Sequence, residues 1–238
     1  MATGTTWMPY CGAAPGPAEM LSRWNFDPLL LAALAVSVLA WRWRFGLSKP
    51  AIAGFALMAL LFVSPFCALS SALFASRVVH HLLLTVAVAP LLAVALPRSA
   101  SHLALWTAGH ALIFWAWHAP ALYGWALSND SGYWLMQLTI LGSAVGFWRA
   151  ALAAPAPVGA AALFATMVQM GLLGALLTFV PRPLYDAHLL GPLLWGLTPL
   201  EDQQAAGLIM WVVGGAAYLI AALTLAGRWL GDDRRAAV

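Results

Sequence analysis

Three ionisable side chains, Arg77, His80 and His81, stand together in "SRVVHHLLLT" at the lip of a strongly apolar run. Imidazole titrates near neutral pH and ligates metals readily, so paired histidines point to proton or metal chemistry. Arg77 precedes His80 by three residues and His81 by four, which puts all three on one rim of a helix. His80 and His81 are about 100° apart, so both cannot point straight inward. His118 closes another apolar run, "FWAWHAPALY", and His188 falls in a later loop. Met210, in "TPLEDQQAAGLIMW", lies on one helical stripe with Gln203, Gly207 and Gly214. Imidazole and thioether together are ligands that Cu(I) accepts. Plainer roles compete at every position: headgroup contact for Arg77, His80 and His81, the helix dipole for His118, core filling for Met210. The sequence contains no CxxC or HExxH, so a metal site must be assembled from several helices.

The elements that carry these residues are membrane spans. Hydrophobic residues make up 63% of the 238 positions and charged residues 8%. A soluble domain carries about 25% charged residues, so this chain cannot cover a water-facing surface. The apolar runs are long enough for a hydrocarbon layer of about 30 Å, where only helices satisfy a lipid-exposed backbone. The expected fold is an all-α, seven-transmembrane helix bundle, with spans near Pro28–Trp43, Pro50–Leu69, Val78–Leu96, His102–His118, Tyr133–Leu152, Val158–Val180 and Gln203–Leu230. Residues 1–24 form an outer N-terminal segment, 25–230 a single transmembrane domain and 231–238 a cytoplasmic tail.

Orientation follows from the basic residues. With the N-terminus outside, Arg42, Arg44, Lys49, Arg98, Arg149, Arg228, Arg234 and Arg235 lie inside, against Arg23, Arg77 and Arg182 outside. That asymmetry is the positive-inside bias and places the C-terminus in the cytoplasm. The net charge of +3 reflects this sorting and does not point to nucleic acid. "MATGTTWMPYCG" has no basic region followed by an apolar stretch, so no cleavable signal peptide is expected.

On this topology the unusual polar groups gather at the outer mouth: His80, His81, His118, His188, Asp130, Asp186, Glu201 and Asp202. Thr198 and Glu201 have capping-box spacing with Pro199 at the first helical position, which explains Glu201 as a cap. Pro90 should kink the third span. The glycine stripe of the last span and Gly174 in the sixth should allow close helix approach. Cys67 is either a soft ligand or, with Cys11 on the same oxidising side, half of a disulfide.

The stretches "SPFCALSSALFASRVVHHLLLTVAVAPLLAVALP", "FWAWHAPALYGWAL", "GALLTFVPRPLY" and "LTPLEDQQAAGLIMWVVGG" resemble, in order, signature segments of the CtaG family, the caa(3)-type cytochrome c oxidase assembly factors. The resemblance spans roughly residues 25 to 230, and DQQ-x-x-G-L-I-M-W is its most specific part. It implies a multi-pass protein of the bacterial plasma membrane that assists a haem–copper oxidase, at copper delivery. Many members read H-M-x-Q-H where this chain has Arg77 to His81, so His81 matches the last family histidine, His80 replaces a glutamine and Arg77 a histidine. By donor chemistry His81, His118, His80 and Met210 are the copper-ligand candidates, and His118, Asp202, Gln203 and Met210 also fall in family motif segments. Arg77, Asp202, Gln203, Tyr185 and Arg182 are the further binding candidates, with Arg77 expected to snorkel outward or pair with Asp202.

The expected function is therefore non-enzymatic: presentation of Cu(I) at the outer face to cytochrome c oxidase subunits. Its surroundings are the lipid bilayer, and self-association into a homo-oligomer is open. Two alternatives stand beside it. A copper transporter needs a relay on the inner half, where only His102 and the deeper His110 offer one. A b-type cytochrome needs haem between histidines such as His81 and His118, which share a depth. No nucleophile–base pair or zinc motif suggests a hydrolase.

Overall fold

A computed structural model describes residues 9–100 and 102–236, all helix and loop, with no strand among them. Residues 1–8 of the outer segment, the end of the expected tail at 237–238, and the side chains of Arg234 and Arg235 lie outside the described set. The helices are α1 (Pro28–Phe45), α2 (Lys49–Val63), α3 (Pro65–Ala72), α4 (Phe74–Ala95), α5 (Leu103–His118), α6 (Pro120–Ser128), α7 (Asp130–Ala153), α8 (Ala156–Phe179) and α9 (Pro199–Gly231). Most begin where local chemistry dictates. Asp27, Ser48, Ser64, Asn129 and Thr198 each accept a bond from an orphan backbone N–H of the helix they precede, and proline stands in the first turn of all but the Asn129-capped helix. Glu201 completes the capping box with Thr198, as its spacing predicts.

Five helices are long and apolar enough to cross a membrane, and the pair α2–α3, bent by 55° at Ser64, makes a sixth. The expected fourth span is shorter than its apolar run. Pro120 and the left-handed backbone at His102 confine α5 to 16 residues, about 24 Å at 1.5 Å per residue. The short α6 then continues the chain after Ala119.

Helix α4 is the most enclosed of the candidate spans. It begins four residues before the expected Val78, because its N-terminal amides find a partner far away in sequence: Asp202 of α9 accepts from Phe74 N at 2.6 Å and Ala75 N at 3.0 Å. Arg77, His80 and His81 are thereby drawn inside the helix.

Below them, ahead of Pro90, α4 contains a π-helical segment, Leu84–Val88, and runs on as one continuous span. In this register the Thr85 carbonyl faces residue 90, a proline without an N–H. The Trp148 indole donates to that carbonyl instead, at 2.7 Å, while its ring stacks on Tyr218. Trp148→Phe keeps the ring and deletes the donor, so it should cost about 1–3 kcal/mol, the penalty of an unsatisfied buried acceptor. Thermal unfolding in detergent measures it, and an unchanged melting temperature would refute this role.

The glycine stripe works as its spacing predicts. A Cβ on Gly207 would meet Thr178 and the Gly174 carbonyl at 2.4 and 2.6 Å, and one on Gly214 would meet Met170 Sδ at 2.7 Å. Small residues thus bring α9 against α8. A second π-helical segment, Ile209–Gly214, lies where α9 also packs on α4.

Candidate functional site

Arg77 is the centre of the polar cluster. It does not snorkel: it is fully buried, and Nε, Nη1 and Nη2 have no hydrogen-bond partner. Its guanidinium lies 5.3 Å from the Tyr133 ring centroid, a cation–π contact, and within electrostatic reach of the Tyr123 hydroxyl, His80, His81 and His188. Nor does it form an ion pair with Asp202, whose carboxylate instead caps α4. The sequence suggested an interfacial arginine because its neighbours Tyr123, Tyr133 and His188 come from α6, α7 and the outer loop, far from it in the chain.

Both histidines of the pair are buried, His80 completely and His81 nearly so. They manage this although they point apart, because α4 is enclosed on both sides. His80 sits edge-on to Phe62 of α2 at 4.9 Å and parallel to Phe66 of α3 at 6.1 Å, close to the Leu61 backbone but with no geometrically complete bond from either ring nitrogen. His81 turns the other way, within electrostatic range of His118 and beside the Gln137 amide. Its Nε2 has no partner, and the Gln137 amide atoms make no geometrically complete bond. On α5, the Phe114 carbonyl accepts from His118 Nδ1 at 2.7 Å. A carbonyl only accepts, so Nδ1 carries the proton and Nε2 keeps the lone pair that ligation requires.

Met210 is buried in the π-helical segment of α9 that packs on α4. Cys67 is not free to ligate, since it forms a disulfide with Cys11. His110 is bonded at Nδ1 to Ser143 Oγ at 3.0 Å and stacked on Phe147, a self-contained contact deeper in the bundle. Among the described residues no three His, Cys, Asp or Glu side chains converge on a metal position.

An outer layer covers the cluster. Tyr123 of α6 donates to His188 Nε2 at 2.7 Å, while His188 Nδ1 donates to the Ala72 carbonyl at 3.4 Å. Tyr185 donates to the His118 carbonyl at 2.8 Å and stacks on Phe74 at 4.2 Å. Gln203 is committed to the same loop: it accepts from Leu184 N and donates to the Leu177 and Arg182 carbonyls. The Arg182 side chain is exposed. Sequence reasoning passed over Tyr123, Tyr133, Gln137 and the role of His188. The signal for two of them was present, because Tyr133, Gln137, Ile140 and Ala144 form the buried stripe of α7.

Burial and, secondarily, the Arg77 charge push His188 down to about 3 from the usual 6.5, against the raising effect of the Ala72 carbonyl. Its neutral form holds the loop, so the contribution to loop docking is complete above pH 6.5. It is lost as pH falls from there toward 3, because the open state takes up the proton first. Backbone hydrogen exchange across 184–195, corrected for its intrinsic rate, should rise between pH 7.5 and 5.5. His188→Gln should flatten that rise, and an equal rise in the variant would refute the assignment.

The family model for the cytochrome c oxidase caa3 assembly factor, Caa3_CtaG, matches residues 98–232. No curated protein and no solved structure matches the chain. The matched region contains His118, Tyr123, Gln137, Tyr185, His188, Asp202, Gln203 and Met210, while Arg77, His80 and His81 precede it. With more than half of its length matched, this multi-helix membrane protein belongs to the caa3-type cytochrome c oxidase assembly factor family.

Proposed function

We propose that the protein holds Cu(I) transiently in the outer half of the bacterial plasma membrane and hands it to a nascent cytochrome c oxidase subunit. In this reading it spans the membrane seven times, with the N-terminus outside and the C-terminus in the cytoplasm. The orientation is supported by the positive-inside bias, and the reading adds the 16-residue α5 as a seventh pass to the five long helices and the bent pair α2–α3.

One observation carries the copper reading: buried imidazoles on α4 and α5 lie within electrostatic range of each other, His81 with Nε2 unbonded and His118 with its proton fixed on Nδ1, in an oxidase assembly factor. Ionisable groups buried in a membrane bundle are costly and belong to function by default. His81 and His118 would supply the nitrogens and Met210 the thioether, a soft set suited to Cu(I). The uncompensated Arg77 cation opposes any bound metal, and opposes a doubly charged ion more than a singly charged one. That makes for a weak site, as a donor requires. The chemistry is binding and release, with no bond made or broken in a substrate.

Cells lacking the protein should make oxidase subunits but little active, copper-loaded enzyme, and added copper should restore part of the activity. Normal oxidase copper content in the deletion strain under copper limitation would overturn the proposal.

A further inference from the structure

Between α6 and the outer loop lies a cavity of about 240 Å³, lined by Pro120, Ala121, Tyr123, Tyr185, Asp186 and Ala187 among others. Its rim is exposed: Pro120, Ala121 and Asp186 face outward. Its floor is the buried pair Tyr123 and Tyr185. The hydroxyls of the floor reach the cluster. The Tyr123 hydroxyl bonds His188 and faces Arg77, and the Tyr185 hydroxyl bonds the backbone of His118 itself. On the other flank His80 is shielded by Phe62 and Phe66, and α3 is tied down by the Cys11–Cys67 disulfide and by Gly191, which abuts the Ala72 carbonyl.

We propose that this cavity is the port through which a soft monovalent cation, Cu(I), reaches the buried histidines, with Asp186 at its mouth and the Tyr123–His188 bond as its inner gate. The inference rests on the copper reading and adds the route to it. A carboxylate at the rim raises the local concentration of a small cation and speeds its arrival. Two phenol rings, both packed on Phe74 of α4, then form a barrier that opens when these side chains rotate off that ring, with the α4 backbone left in place. The face of an aromatic ring also tolerates a passing cation. The alternative entry, along α3, would require breaking the packing that buries Cys67, Ser70 and Ala72.

The test uses a plug added after folding. The chain has two cysteines, both in the disulfide, so Ala121→Cys introduces a single reactive thiol. Purified Ala121→Cys protein, unlabelled or labelled with a bulky methanethiosulfonate, is mixed with Cu(I) bound to a chromophoric chelator, and the rate and final extent of transfer are read. Labelling should slow uptake about tenfold or more and leave the final stoichiometry unchanged, and Asp186→Asn should slow it less and weaken its salt dependence. Equal rates before and after labelling would overturn the port. A second arm removes dependence on copper: diethyl pyrocarbonate should modify His188 in the unlabelled protein and spare it in the labelled one. If the unlabelled protein takes no Cu(I), the copper reading falls, and this arm alone decides the port, with equal modification overturning it.

Discussion

His81→Ala is expected to abolish oxidase maturation while the protein stays inserted and abundant. His81 makes no hydrogen bond through Nε2, so its removal leaves no new unsatisfied partner on that side. What is lost is packing volume and one imidazole lying within electrostatic range of His118. A truncation of this kind in a core costs about 2–5 kcal/mol, which a bundle of this size survives in a membrane. His80→Gln should be tolerated, because His80 faces Phe62 and Phe66 rather than His118, and a glutamine amide can still reach the nearby Leu61 backbone. The readouts are oxidase copper content and the amount of the assembly factor in membranes. Equal damage from both variants would mean that the wrong histidine has been assigned to the site. Full maturation with His81→Ala would reduce the pair to core residues.

What the sequence discloses and what it hides divide along a physical line. Helix starts at residues 28, 49 and 199 are legible because a capping side chain stands just ahead of a proline in the first turn, whereas the same pattern at Ser64–Pro65 is masked by the continuous apolar run read as one span, Pro50–Leu69. The glycine stripe is legible because close approach needs small residues at helical spacing. The start of α4 is not, since Leu73 offers no side-chain cap and the acceptor is Asp202, 128 residues downstream. The π-helical segment around Thr85 is hidden for the same reason, its carbonyl being satisfied by Trp148 from α7. Arg77 illustrates the consequence. Read locally it is a charge at a membrane lip, and only the distant cap and the folded outer loop carry it into the core. The two cysteines admitted either a ligand or a disulfide, and only the fold brings the sulfurs together.

The same distant cap gives the largest expected loss of stability. Asp202 is completely buried and each of its oxygens accepts from an N–H of the first turn of α4. Leu73, at the N-cap position, has extended backbone (φ −115°, ψ 128°) and contributes no side-chain bond, so no local group replaces Asp202. Bonds to a charged acceptor contribute about 1.5–3 kcal/mol each, and the carboxylate also lies at the positive end of the α4 dipole. Asp202→Ala strands two backbone donors in the bundle and should cost about 3–5 kcal/mol, as breaking a buried charged contact does. Asp202→Asn, which keeps one acceptor but turns an NH2 toward a backbone N–H, should fall between. The decisive variant is a double one. Leu73→Ser places a hydroxyl where an N-cap acts, so Leu73→Ser in the Asp202→Ala background should recover part of the stability. Unfolding in detergent, followed by helix signal, measures all three. A fully stable Asp202→Ala protein that has lost copper would instead make Asp202 part of the site and would refute its role as the cap of α4.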